Sequence, residues 1–246
     1  MTLVSVIMPY YKKELYLEQS IQSILNQTYQ NFEIILINDD NEDKNFINNL
    51  SKIDHRIRLL HNDKNLGAGL SRNKGVEISK GEYIAFCDCD DLWKSNKIEL
   101  QLEFMKYSNF TFSFTSYDII DENNNFIKYR KAPSYVDFQK LINSCDIGLS
   151  TVMIKKELFK NNKYQFAKLR TKEDYVLWLK LARDKITMKS MKQNLTSWRK
   201  CKNSLSTSVM QKIVDGYRVY RNYLKYGRLK SLYCLVNLSV NSIIKN

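Results

Sequence analysis

The chain has 246 residues, 43% of them hydrophobic, which is enough for one substantial core with at most a small appendage. Seven glycines and two prolines exclude a low-complexity or long-linker class. No stretch reaches the ~18 apolar residues of a membrane-spanning helix, and the formal charge of +13 favours anionic partners: nucleic acid, an anionic membrane or a phosphorylated substrate.

Leu3 to Met8 reads as a buried strand stopped by Pro9, with Tyr10 and Tyr11 at its C-terminal end. Leu17, Ile21, Ile24 and Leu25 recur at helical spacing and predict an amphipathic helix over about Glu14 to Asn26. Phe32 to Ile37 is a second strand that runs into Asp39 and Asp40. Phe46, Ile47 and Leu50 mark another helix, and Ile57 to Leu60 a third strand. Asn65 to Gly75 opens the next helix, where Gly67 and Gly69 suit a tight turn and a close helix approach, and Arg72 is placed to reach either a phosphate or a surface acid. The Gly67-Ala-Gly69 element lacks the full spacing of a dinucleotide fingerprint. Tyr83 to Cys87 is a fourth strand and runs straight into Asp88, Asp90 and Asp91.

Strand, helix, strand, helix, strand, helix, strand implies an α/β fold with a mostly parallel sheet flanked by helices. Ligands of such sheets bind beyond the C-terminal strand ends. Those ends carry Pro9-Tyr10-Tyr11, Asp39-Asp40 and Asp88-Cys89-Asp90, so three separated pieces of sequence converge on one crevice. Clustered carboxylates repel one another unless a cation sits among them, and a hard divalent ion with a phosphate-bearing substrate answers that need. The same acids also fit a plain acidic turn or a helix cap.

Further on, Ile98, Leu102 and Met105 continue a helix, and Phe110 to Ser116 alternates like a strand with one buried face. Asp121 to Asn125 is a turn from which Phe126 to Tyr129 returns. Phe138 to Ile142 is helical, and Ser150 to Ile154 is another strand. Arg170 to Ala182 reads as a largely buried helix with Glu173 and Asp174 in its first turn. Acids there are stabilised by the free amides of the helix end, and one of them aimed into the crevice would serve as a general base. Trp198-Arg199-Lys200 fits part of an acceptor pocket or a loop over a diphosphate. The five cysteines are scattered without zinc-site spacing, and no basic start with a cleavage site is visible, so a cytoplasmic protein with reduced thiols is expected. Acidic residues thin out after Asp184, leaving a basic, aromatic-rich helical pair over 208–246. It fits an interfacial membrane contact, packing on the main domain, or a homodimer contact.

Taken together, Val4 to Tyr11, Ser20 to Tyr29, Phe32 to Asp40, Asn65 to Gly75, Gly81 to Asp91 and Glu173-Asp174 resemble the inverting glycosyltransferases of family 2, which have the GT-A fold and build bacterial surface polysaccharide. The resemblance is dense from Val4 to Trp93 and returns at Glu173-Asp174. It implies a catalytic domain over 1–200, with a nucleotide-sugar half to about residue 95 and an acceptor half from 96, and a basic helical C-terminal extension over 201–246. It implies transfer of a hexose or N-acetylhexosamine from a UDP-sugar to a glycan or lipid-linked glycan, forming a beta linkage at the inner face of the cytoplasmic membrane. By the same resemblance Asp40 and Asp39 would hold uracil, with Pro9 and Tyr11 along the base and ribose. Asp88 would hold the ribose or assist the metal, Asp90 would ligate Mn²⁺ or Mg²⁺, Asp91 would position the donor sugar and Asp174 would be the base. The usual Asp-Asp-Gly-Ser is here Asp39-Asp40-Asn41-Glu42, so that turn departs from the family's. The rival readings are a nucleotidyltransferase, which would release pyrophosphate, and a nucleic-acid-binding protein, which the converging acids disfavour.

Overall fold

The computed structural model describes residues 1–40, 42, 44–202 and 208–244. Asn41, in the departing turn, therefore lies outside the described residues, as do 203–207 and 245–246 of the C-terminal extension. The first ninety residues alternate as expected: β1 (Val4–Tyr10), α1 (Glu14–Leu25), β2 (Phe32–Asn38), α2 (Lys44–Leu50), β3 (Ile57–His61), α3 (Ala68–Ile78) and β4 (Tyr83–Phe86). β1 pairs in parallel with β2 and β4, and β2 with β3. Both faces of β1 and β2 are buried along their whole length. Their near-continuous apolar sequences are what a sheet covered by helices on both sides requires.

The period of two divides each strand between two cores. Ile35 and Ile37 of β2 and Ile84 and Phe86 of β4 face the core that holds Trp178. Ile34, Leu36, Tyr83 and Ala85 face the core built with Leu17, Ile21 and Ile24 of α1. Each isoleucine, leucine and phenylalanine among them contributes about 1.5–3 kcal/mol by its removal from water.

Pro9 does not stop the first strand, which continues to Tyr10. Cys87 donates its N–H to the Ile7 carbonyl, and β4 pairs with β1 only as far as Ile7–Phe86. Residues alternate in the direction of their polar groups, so Pro9 faces the side where β4 has already ended and its missing N–H costs nothing.

After β4 come β5 (Leu92–Trp93), α4 (Lys97–Tyr107), β6 (Phe112–Ile120), β7 (Phe126–Arg130), α5 (Phe138–Leu141), a 3-10 turn at Leu149–Thr151, β8 (Met153–Lys155), a second 3-10 stretch at Lys156–Asn162, α6 (Glu173–Arg183) and β9 (Lys189–Arg199). The sheet runs β3-β2-β1-β4-β8-β6-β9-β5, with β7 hanging off β6. Most of β6 is buried on both faces rather than one. Phe112 packs on Trp178 with ring centroids 5.1 Å apart, while Ser113 on the other face accepts from Gln101 of α4 at 3.0 Å. Ser150 falls in the 3-10 turn ahead of β8 instead of within a strand. The chain closes with α7 (Val209–Arg218), a wider π turn and α8 (Arg228–Ile244). Val219, Tyr220, Leu224, Cys234 and Leu238 of this tail join the same core as Trp178. No helix among the described residues is long and apolar enough to cross a membrane.

Candidate active site

The crevice lies at the C-terminal ends of the parallel strands and is closed on one side by the start of α6. Asp39, beyond β2, is buried and accepts at 2.8 Å from Asn62 Nδ2 and the Leu66 N–H on one oxygen, and from the Gly67 N–H on the other. It thereby holds the loop between β3 and α3 in place. Asp40, also buried, accepts from the Glu42 N–H through Oδ1. Buried Pro9 and exposed Tyr11 border the same corner.

The loop after β4 separates its three acids. Asp88 Oδ1 accepts from Arg72 Nη2 at 2.6 Å, and its side chain remains about one-third exposed (33%). Asp90 Oδ2 pairs with Lys13 Nζ at 3.1 Å and lies 3.6 Å from Cys201 Sγ. Burial and the charge of Asp88 hold its pKa above the usual carboxylate range, against the pull of Lys13. Asp91 is fully buried, with Oδ2 accepting from Ser150 Oγ at 2.5 Å and Oδ1 from the Arg199 N–H at 2.9 Å. Burial first, then Asp90 and Asp88, drive its pKa well above the usual range. Asp91 sits beneath the crevice and ties its floor to β9. Cys89, between the acids, is buried against the α1 core.

Arg72 sits at the centre of the site. It is buried, with Nη2 on Asp88 and Nη1 on Glu173 Oε1, both at 2.6 Å. Burial alone would weaken its proton, but Asp88 and then Glu173 outweigh that and hold the guanidinium charged. The two carboxylates come from elements far apart in sequence, so one planar fork locks the acidic loop to α6. Close approach of α3 permits this. A Cβ on Gly69 would stand 2.6 Å from the Ala167 carbonyl and 3.0 Å from Glu173 Cβ, and Gly67 takes φ +84° at the turn.

Asp174, beside Glu173, is partly buried and accepts from the Tyr175 N–H at 2.7 Å. Burial and the neighbouring Glu173 push its pKa up to about 7, against Arg72 and Lys172. A carboxylate poised near neutrality is suited to take a proton in a reaction. The residue before the pair, Lys172, has φ 67°, the left-handed conformation that side chains other than glycine and asparagine seldom adopt.

The structure brings Asp39, Asp40, Arg72, Asp88, Asp90 and Asp174 to one crevice and turns Asp91 under it. Sequence reasoning left out Lys13, Ser150 and the anchoring role of Arg199. Lys13 had a signal in its place just past the end of β1. Arg199 is buried, donating from Nε to the Asp90 carbonyl at 2.7 Å, from Nη2 to Gln19 and from Nη1 to Asn124. It braces the loop from below and is neither a lid nor an acceptor wall. Among the described residues no three His, Cys, Asp or Glu side chains are grouped to hold a metal. Two carboxylates, Asp88 and Asp90, nevertheless suit an ion that takes its remaining ligands from substrate phosphate and water.

A sheet with parallel strands at its centre, acids at their ends and a further acidic pair on the facing helix is the arrangement of the GT-A fold. The model of glycosyl transferase family 2 matches residues 5–177, and the chain belongs to that family of glycosyltransferases. It is 33% identical to a candidate teichuronic acid biosynthesis glycosyltransferase of Bacillus subtilis strain 168, TuaG, over 99% of this chain and 97% of that protein. It is 34% identical to WfgD of Escherichia coli, a UDP-Glc:alpha-D-GlcNAc-diphosphoundecaprenol beta-1,3-glucosyltransferase, over 99% of this chain and 95% of that one. Among solved structures, residues 1–349 of S. aureus TarS in complex with UDP-GlcNAc superpose with a TM-score of 0.75 at 18% identity, covering 96% of this chain and 70% of that one.

Proposed function

We propose that this glycosyltransferase moves a hexose or N-acetylhexosamine from a UDP-sugar to a hydroxyl of a lipid-linked glycan, inverting the anomeric centre to leave a beta linkage. The observation that carries the reading is the Arg72 fork, which fixes the distance between the loop of Asp88 and Asp90 and the helix of Asp174. The near relation to WfgD supports UDP-glucose as donor and a polyprenyl-diphosphate sugar as acceptor.

In this reading Asp40 meets the uracil ring, Pro9 and Tyr11 flank base and ribose, and Asp39 holds the loop that edges them. Asp90, with Asp88, would hold Mn²⁺ or Mg²⁺; when bound, the ion neutralises the charge of the departing diphosphate. Asp174 takes the proton of the acceptor hydroxyl as its oxygen attacks the anomeric carbon from the face opposite UDP, so one displacement inverts the linkage. Arg72 and Asp91 position these groups. The catalytic portion covers 1–200 and the extension 201–246.

The extension supports a place on the inner face of the cytoplasmic membrane. Between residues 208 and 244 six lysines and arginines stand against one acid, Asp215. Leu229, Leu232, Tyr233, Val236, Val240 and Ile244 form one exposed stripe along α8, at spacings that keep them on a single face. Basic charge beside exposed apolar side chains suits an anionic lipid surface.

UDP release from UDP-glucose, UDP-galactose and their N-acetyl forms, with and without Mn²⁺, tests the reading. One donor is expected to turn over, only with metal, and Asp90→Asn to remove that turnover while the thermal midpoint stays near wild type. Equal turnover in EDTA, or in the variant, would remove Asp90 from its role.

A further inference from the structure

The side chain of Asp215 on α7 is fully buried and collects four donors. Its Oδ2 accepts from the Thr171 N–H at 3.0 Å, from Thr171 Oγ1 at 3.1 Å and from Gln211 Nε2 at 2.8 Å, while Oδ1 pairs with Arg218 at 3.2 Å. Thr171 stands three residues before Asp174, so one carboxylate oxygen pins the tail to the segment that presents the base. The chain neighbours of its two donors are lysines: Lys172 follows Thr171 and Lys212 follows Gln211. Lys172 holds its Nζ 5.7 Å from the centre of the Tyr175 ring and Lys212 stands at the surface, where partial burial and then the Lys172 charge lower its pKa. Lys172 also acts on Asp174. An acid that faces the interior thus holds the two lysine-bearing segments side by side, next to the start of the helix that carries Asp174.

We propose that Lys172 and Lys212 form the seat for the diphosphate of a lipid-linked acceptor. The inference rests on the acceptor reading above and names the contact that would recognise it. In a sugar bound to a polyprenyl diphosphate, one ring separates the reacting hydroxyl from the diphosphate. A hydroxyl on Asp174 therefore places the anion toward Lys172, the residue two positions away, and toward its neighbour on α7. Beyond the diphosphate the lipid meets Val209, Met210, Ile213 and Val214, the exposed apolar residues of that same helix. Order along the acceptor and order along the protein agree: hydroxyl at the base, anion at the lysines, hydrocarbon at the apolar face. The strained backbone at Lys172 fits a residue held in position for a ligand.

Farnesyl diphosphate, inorganic pyrophosphate and farnesol are titrated calorimetrically into the full chain saturated with UDP and Mg²⁺, so that the donor site is filled. Farnesyl diphosphate is expected to bind, pyrophosphate more weakly and farnesol most weakly. The double variant Lys172→Asn/Lys212→Gln, whose asparagine accepts the left-handed backbone, should raise the farnesyl diphosphate Kd about tenfold or more at an unchanged thermal midpoint. Lys212→Arg should keep the affinity. An unchanged Kd in the double variant, or farnesol binding as tightly as its diphosphate, overturns the seat. Pyrophosphate binding as tightly as farnesyl diphosphate makes it a free-anion site and overturns the lipid assignment. If farnesyl diphosphate does not bind while a lipid-diphosphate sugar is still glycosylated, the seat fails and the acceptor reading stands. Binding without any such glycosylation leaves the seat and refutes the acceptor reading.

Discussion

The strand-end side of the crevice and the helix side treat their paired acids alike but arrive there by different routes. On the strand-end side Asp39 and Asp91 have both oxygens engaged by protein donors, and their neighbours Asp40 and Asp90 carry the chemistry proposed above. On the helix side Glu173 is engaged by Arg72, and its neighbour Asp174 is the one left near neutrality. In each doublet one acid anchors and the other is presented. The strand-end side achieves this in the loops that follow β2 and β4, where the Asp91 N–H closes a turn on the Asp88 carbonyl at 3.0 Å. The helix achieves it because Gly69 lets α3 close over Glu173 and bring Arg72 to it.

The largest expected effect removes the presented acid of the helix side. Asp174→Asn should lower kcat by roughly 10²–10⁴-fold with UDP affinity retained, read by UDP release and calorimetry. Loss of UDP affinity would move Asp174 to the donor side and erase the distinction. The same residue sets the pH profile. A base works deprotonated, and burial with Glu173 lifts the Asp174 pKa to about 7. In wild type kcat should therefore climb about tenfold per pH unit below that value and level off above it. A profile flat between pH 5 and 8 would exclude the base role.

The next effect joins the two sides. Arg72→Lys keeps the charge but loses the fork, leaving Asp88 or Glu173 without its donor. Stability should fall by roughly 1–3 kcal/mol, seen as a drop of several degrees in the thermal midpoint, and kcat by roughly tenfold or more as the loop and α6 lose their common hold. If stability drops with kcat unchanged, Arg72 only braces the fold and does not set the spacing of the site.

The contrast also explains what was legible in the sequence. β1 to β4 are apolar runs between helices of clear period, and the parallel sheet, the strand ends and the acids on them followed directly. Which acid of a pair is the anchor was not legible, because it depends on donors remote in sequence: Ser150 and Arg199 for Asp91, Arg72 for Glu173. β9 escaped notice for a related reason. Lys189 to Arg199 is mostly polar, and its pairing with β6 shifts register twice, so neither alternation nor an apolar run marks it. Arg199 therefore looked like a loop residue over the site when it is a buried brace beneath it.

The smallest expected effect on the folded protein concerns the tail. Docking on the main domain and meeting a membrane are compatible there, because one face of the helices joins the core and another is exposed. Tyr220, Cys234 and Leu238 lie in the core, while Leu232 and Val236 are about half exposed, at 49% and 58%. Leu232→Glu/Val236→Glu touches only the outward face, so the thermal midpoint should barely move, within about 0.5 kcal/mol per site. Binding to phosphatidylglycerol vesicles should fall about tenfold or more, because two apolar side chains and two units of charge then oppose insertion. Wild-type binding should itself weaken as salt rises, since basic residues supply part of the attraction. Equal vesicle binding by the variant would place the contact elsewhere. A wild type that ignores vesicles but sediments as a dimer, dissociated by the same two substitutions, would give the outward face to a second copy of the chain and leave the acceptor to arrive at Asp174 without a membrane guide.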